Sequence, residues 1–183
     1  MGIVAKFSLW YSKWVHNKNE HWINNPMESQ NTIRRHLVKQ ARNTRFGKDH
    51  HFKDIKNYND FKQRIPISNY ENLRPYIDRS LNGEKDVLWP GKPLYFCKTS
   101  GTTSGTKYIP ISKESMPYHL KCAKDAILNY IYETKKTDFL NGKNIFIQGS
   151  PVLDFSKHSP IGRLSGIVAH HLPWYLKSKN LPS

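Results

Sequence analysis

Nine residues, Thr99-Ser100-Gly101-Thr102-Thr103-Ser104-Gly105-Thr106-Lys107, separate two short apolar runs, Leu94 to Cys97 and Tyr108 to Ile111. Runs of that length bounded by Gly, Ser and Thr read as strands, so the segment predicts strand, polar loop, strand. Two glycines let the backbone turn so that amide N–H groups point inward. Four threonines and two serines add hydroxyl donors, and Lys107 adds a compact positive charge. Such a concavity suits an anion, and a polyphosphate in particular. It is not a Walker loop, which needs four residues between its glycines and a Lys directly after the second. Here three residues separate Gly101 from Gly105, Thr106 intervenes before Lys107, and a strand follows rather than a helix. On composition alone an ordinary hairpin loop rich in small polar residues is an equal reading.

Helices flank this region. Ile3, Phe7, Trp10, Tyr11 and Trp14 fall at helical spacing and predict a helix over 3–16 with its apolar stripe facing the core. Asn25 as cap, Pro26 at the first position and Glu28 at the third predict a second helix, with Ile33, Leu37 and Ala41 as its inward face. A short helix is expected over 60–64 and another over 70–81, ended by Asn82 and Gly83; Pro75 delays the start of the latter. After the loop, Ser115 and Pro117 open a longer helix whose Met116, Leu120, Ala123, Ile127, Tyr130 and Ile131 share a side. Ile145 to Ile147 predict a third strand, and the stretch from Ser150 to Ser183 reads as loop-rich. Strands interleaved with helices give an α/β class.

The chain of 183 residues has a formal charge of +15, with five Trp, ten Tyr and eight Phe. The aromatic content supports a packed core and excludes a disordered polymer. The charge fits either a solvated basic surface or a nucleic-acid-binding module. Its densest run, Arg34, Arg35, Lys39, Arg42, Arg45 and Lys48, shares a helix with core positions, and basic residues are spread over nearly every segment. No specific nucleic-acid partner is therefore expected. Cys97 and Cys122 make no disulfide framework and read as reduced core residues, consistent with a cytoplasmic protein. No apolar run approaches the roughly 20 residues that span a bilayer, and no membrane partner is expected. His170 and His171, with His158 upstream, lack the acid or Cys that would complete a metal ligand set. Asp125 and Glu133 fall on the polar side of the helix after the loop.

The segment Phe96 to Ser112, FCKTSGTTSGTKYIPIS, resembles the first ATP motif of acyl-adenylate-forming enzymes. More narrowly it resembles the auxin-responsive-promoter (Gretchen Hagen) family of acyl acid–amido synthetases in its bacterial form. The likeness extends to Arg45-Phe46-Gly47-Lys48, Ile65-Pro66-Ile67 with Tyr70-Glu71, Pro75-Tyr76-Ile77, Gly83-Glu84 and Leu164-Ser165-Gly166. It implies the N-terminal part of a large adenylation domain with mixed sheets flanked by helices, occupying residues 1–183. It implies ATP, with Mg²⁺ bound to its oxygens, and small-molecule carboxylic acid and amino acid substrates. Thr99, Ser100, Gly101, Thr102, Thr103, Ser104, Gly105 and Lys107 would then contact the phosphates. Tyr118 and Cys122, on the helix that lines the acyl pocket in relatives, would touch the acid. No second motif with a metal-binding acid and no ribose-binding Asp is recognisable. The resemblance therefore implies an N-terminal fragment whose partner is the C-terminal half of the same enzyme, inactive alone, or else an inactive remnant.

Overall fold

A computed structural model of the chain describes residues 2–101, 105–145, 149–177 and 179–181. Strand β1 (Tyr95–Lys98) lies at the centre of a mixed sheet. On one side it pairs antiparallel with β2 (Tyr108–Ile111), Tyr95 opposite Ile111 and Lys98 opposite Tyr108. On the other it runs parallel to β4 (Ile161–Gly162), with Phe96 opposite Ile161. A second small sheet joins β3 (Asn144–Ile145) in parallel to β5 (Asn180–Leu181). The third strand is thus seen at Asn144 and Ile145, while Phe146 and Ile147 lie outside the described residues.

Alternation along β1 separates two cores, as side chains on a strand point to opposite faces. Phe96 is fully buried among Ile77, Leu81 and Ile161. Tyr95 and Cys97 turn the other way, against the cluster of Ile111, Met116 and Ile167. Burying a side chain the size of Phe96 stabilises the fold by about 1.5–3 kcal/mol. Ile161 comes from β4 and Ile167 from α7 (Leu164–His170). The stretch after Ser150 therefore supplies core elements to both faces, which its polar composition concealed. A short helix α8 (Trp174–Lys177) follows.

Helix α5 (Tyr70–Leu81) carries Ile77 and Leu81 to the sheet. It starts at Tyr70, ahead of Pro75, because its first turn is fixed by a reciprocal capping box: Asn69 accepts the Asn72 amide and Asn72 accepts the Asn69 amide, each at 3.0 Å. Pro75, inside the helix, has no amide to give to the Glu71 carbonyl. At the far end Gly83 adopts φ +89°, Gly83 N–H donates to the Ser80 carbonyl and Glu84 N–H to the Arg79 carbonyl, a Schellman closure. The same capping chemistry, Asn57 with Asp60, starts α4 (Tyr58–Arg64) two residues before the expected position.

The N-terminal region departs more from the sequence reading. Helix α1 (Ile3–Asn24) runs well past His16, and α2 (Pro26–Ala41) follows after Asn25. Asn25 does not cap α2 with its side chain; its amide group donates back to the His21 carbonyl at 3.0 Å. The inward face of α1 is Ser12 and Val15, packed on α6 (Met116–Thr134) through Leu128 and Ile131. The stripe of Ile3, Phe7, Trp10 and Trp14 faces outward, with Trp10 63% exposed. In α2 the buried residues are Val38 and Ala41, which meet Phe52 of a 3₁₀ turn (Phe52–Asp54), while Ile33 and Leu37 are exposed. Helical spacing locates an apolar side but does not say which neighbours cover it. On α6, Met116 and Ile131 are buried as expected, Leu128 joins them, and Ala123, Ile127 and Tyr130 are exposed. The short helix α3 (Arg45–Asp49) is capped by Thr44, whose Oγ1 accepts the Gly47 amide at 3.0 Å.

Candidate functional site

The Thr99–Lys107 loop closes the β1–β2 hairpin beyond the Lys98–Tyr108 pair. Thr99 N–H donates to the Lys107 carbonyl at 3.0 Å, and Lys107 N–H donates to Thr99 Oγ1 at 3.2 Å. These two bonds pin the loop's first and last residues together. Gly101 has φ +68° and Gly105 φ +78°, both in the left-handed region. A Cβ on Gly101 would stand 2.9 Å from the Gly105 carbonyl carbon and from the Thr106 nitrogen, closer than a side chain tolerates. The backbone therefore folds across itself where only glycine fits. Thr99, Gly101 and Lys107 are half-buried, whereas Ser100, Gly105 and Thr106 are exposed. Thr102, Thr103 and Ser104, expected to complete the phosphate contacts, lie outside the described residues.

No acidic residue occurs between Lys98 and Lys113. The donors at hand are backbone amides, hydroxyls and the Lys107 ammonium, a set that matches phosphate oxygens. Lys107 Nζ stands over the ring of Tyr70, 5.4 Å from its centroid. Tyr70 is the first residue of α5, and its Oη also accepts the Tyr108 N–H at 2.9 Å. Leu94 and Thr99 bond across to Ile111 and Lys107, so odd-numbered positions of β2 face β1 and the even ones face outward. At those outward positions the Tyr108 amide is taken by Tyr70, and Pro110 has none to offer. Sequence reasoning did not place Tyr70 at the loop. A tyrosine opening a helix carries no local signal for a contact with a strand that far along the chain.

The remaining candidates are dispersed. Tyr118 and Cys122 sit one turn apart on α6, and both are exposed, Tyr118 to 66%. That corrects the reading of Cys122 as a core residue: its side chain is exposed on α6. Cys97 is half-buried and its thiol is pushed up by desolvation, partly offset by the Leu164 amide. His171 shares a hydrogen bond with the Tyr95 hydroxyl at 3.1 Å, its ring edge-on to Tyr95. Burial lowers its pKa, with His170 and Lys177 adding repulsion against the charged form. His170 instead meets the Pro151 carbonyl at 2.7 Å, and His158 lies against Gly83. The three histidines thus serve three different contacts. Asp125 is ion-paired with Lys121 on α6.

A polar groove of about 600 Å³ runs between Arg45, Lys48, Lys85, Glu84 and Asp86. Its cations alternate with carboxylates, and Arg45 is already paired with Asp49 at 3.1 Å. No helix among the described residues is long and apolar enough to cross a membrane.

A jasmonoyl–L-amino acid synthetase of Nicotiana attenuata, JAR4, is 33% identical over 93 residues, 49% of this chain and 16% of that protein. A 4-substituted benzoates–glutamate ligase of Arabidopsis thaliana, GH3.12, is 34% identical over 76 residues, 41% of this chain and 12% of that protein. Among solved structures, the AtGH3.15 acyl acid amido synthetase in complex with 2,4-DB shares the fold with a TM-score of 0.74 at 20% identity. That superposition covers 92% of this chain and 29% of the synthetase. The chain thus matches only a small part of the length of each of these relatives. The model of the GH3 family N-terminal domain matches residues 15–172, and the chain belongs to the GH3 family.

Proposed function

We propose that this chain supplies the triphosphate-gripping part of an ATP-dependent enzyme that activates a carboxylic acid and joins it to an amino acid. The observation that carries the reading is the pinned hairpin loop: Thr99 and Lys107 tie its ends, Gly101 folds its backbone across itself, and the loop that holds Lys107 contains no acidic residue. The names of the similar proteins, synthetases and ligases of an acid with an amino acid, point the same way. In the first step a carboxylate oxygen attacks the α-phosphorus of ATP, the bond to pyrophosphate breaks, and acyl-AMP forms. In the second an amine attacks the acyl carbon, AMP leaves, and the amine sheds a proton. Negative charge gathers on the departing pyrophosphate, and donors already aimed at it lower that barrier. We assign Thr99, Ser100, Gly101, Gly105 and Lys107 as such donors, together with Thr102, Thr103 and Ser104. Mg²⁺ bound to ATP oxygens would neutralise further charge. Tyr118 and Cys122, exposed one turn apart on α6, are assigned to the acyl pocket.

Calorimetric titration of the purified chain with ATP and Mg²⁺ tests the reading. Saturable binding that Gly101→Val abolishes in a folded variant is expected. Heat no greater than dilution up to millimolar ATP would refute it. Acid-dependent exchange of labelled pyrophosphate into ATP should need more of the family's length than these 183 residues. Robust exchange by the chain alone would show that fewer groups suffice.

A further inference from the structure

Lys107 and Tyr108 are held by the same residue in two different ways. The Tyr70 ring lies beneath the Lys107 ammonium, its centroid 5.4 Å from Nζ. The Tyr70 hydroxyl accepts the Tyr108 amide at 2.9 Å and stands 3.5 Å from the Tyr108 carbonyl. Tyr70 is itself immobilised. Its backbone opens α5 inside the Asn69–Asn72 capping box, and its ring packs on the Ile77, Leu81, Phe96 and Ile161 core. A lysine side chain has several rotatable bonds and loses much rotamer freedom when fixed. An aromatic face that attracts the ammonium supplies part of that fixation before any ligand arrives. Among the described residues no carboxylate is paired with Lys107, and the loop itself contains no acidic residue.

We infer that Tyr70 is a positioning residue for the phosphate loop: its ring seats the Lys107 ammonium in the orientation that meets a phosphate oxygen, and its hydroxyl locks the strand from which Lys107 projects. This role rests on the phosphate reading of the loop. Tyr70 touches no phosphate itself; it acts through Lys107. The two functions are separable by substitution. Tyr70→Phe keeps the ring and loses the strand bond, whereas Tyr70→Leu loses both.

The test measures ATP–Mg²⁺ affinity of the full chain for wild type, Tyr70→Phe and Tyr70→Leu, each also in a Lys107→Ala background. Nuclear magnetic resonance follows the Lys107 side-chain protons and Tyr108 amide exchange. The Lys107 methylene protons should be shifted upfield by the ring in wild type and Tyr70→Phe, and should return to free-lysine positions in Tyr70→Leu. Tyr108 amide exchange should quicken in both variants. ATP affinity should fall roughly 2- to 30-fold in Tyr70→Leu, the range for a lost cation–π contact, and by less in Tyr70→Phe. In the Lys107→Ala background Tyr70→Leu should cost nothing further, because the residue acts through Lys107. A merely structural tyrosine would weaken binding equally in both backgrounds, and that result overturns the inference. So does an unchanged affinity in Tyr70→Leu with the Lys107 signals in place. Failure of wild type to bind ATP would appear before any substitution and removes the loop itself from phosphate chemistry.

Discussion

The Arg79 guanidinium grips the Glu84 carboxylate through two parallel bonds, Nε to Oε2 at 2.7 Å and Nη2 to Oε1 at 2.9 Å. This pairing lies directly over the Schellman closure of α5, whose Glu84 amide returns to the Arg79 carbonyl at 3.1 Å. The guanidinium bond holds the Glu84 carboxyl below its ordinary range, and desolvation opposes it less. The lowered folded value fixes the sign. The contribution is complete above the ordinary carboxylate range and is lost as pH falls through the folded pKa. Carbon-detected titration of Glu84 should show a depressed midpoint that moves up toward the ordinary value in Arg79→Ala. An unmoved midpoint would show that the pair does not form in solution. Both groups are solvent-exposed, so the pair orders this turn more than it stabilises the fold.

Gly83→Ala tests the turn itself. At φ +89° an alanine pays the left-handed penalty, about 1–2 kcal/mol. Its methyl would also stand 2.7 Å from the His158 ring. His158 is an exposed side chain that can swing away, so the strain at the backbone should dominate. Denaturant unfolding should show the unfolding free energy falling by that amount. A loss unchanged when His158→Ala is added would confirm backbone strain over the clash.

Two isoleucines on α6 should behave oppositely. Ile131, 1% exposed, seals α6 to α1 with Val15 and Leu128. Ile131→Ala should cost about 2–5 kcal/mol. Ile127→Ala, at a half-exposed position four residues earlier, should stay within about 0.5 kcal/mol. Equal losses by chemical denaturation would mean that α6 is covered on both sides in solution.

For the site, Lys107→Ala should weaken ATP binding by about 1.5–3 kcal/mol, the value of a hydrogen bond to a charged group. That is roughly tenfold to 150-fold in affinity. Undiminished ATP affinity in a folded variant would remove Lys107 from the phosphate site.

The outward face of α1 should be detectable directly. Phe7, Trp10 and Trp14 form an exposed aromatic run with Ile3 at its start. Contiguous apolar surface of this kind promotes association. The chain should bind a hydrophobic dye strongly and self-associate as concentration rises. Replacing Phe7 and Trp10 together by Gln should reduce both effects while leaving the melting temperature nearly unchanged. A wild-type chain that is monomeric and dark to the dye would show that this face is covered.

Much of this architecture was legible because its determinants are local. Asn82 and Gly83 announce where α5 stops, whereas the Asn57–Asp60 box that starts α4 at Tyr58 is equally local and went unread, the helix being expected only from Asp60. The hairpin follows from Gly, Ser and Thr between two apolar runs. What could not be read are contacts between residues far apart. Ile33 and Leu37 sit at perfect helical spacing yet are exposed, because Val38 and Ala41 happen to meet Phe52. Ser12 is buried although it is polar, since its hydroxyl donates to the Leu9 carbonyl at 2.8 Å and its small size suits the α1–α6 approach. β4 holds two residues, too few for any periodicity to appear. Tyr70 needed three-dimensional proximity to join the loop.

The position of β1 between a near partner and a distant one implies an order of assembly. Pairing with β2 closes only the short loop, which is entropically cheap and fast on the scale of hairpins. Pairing with β4 must wait until Ile161 exists and has found Phe96, a contact of high sequence separation and correspondingly slow. On a translating ribosome the hairpin and its glycine-built loop would emerge and close first. Phe96 would remain half-covered, leaning on Ile77 and Leu81, until Ile161 arrived to seal it. A pause in synthesis between those two points would leave an open sheet edge beside β1 exposed to neighbouring chains.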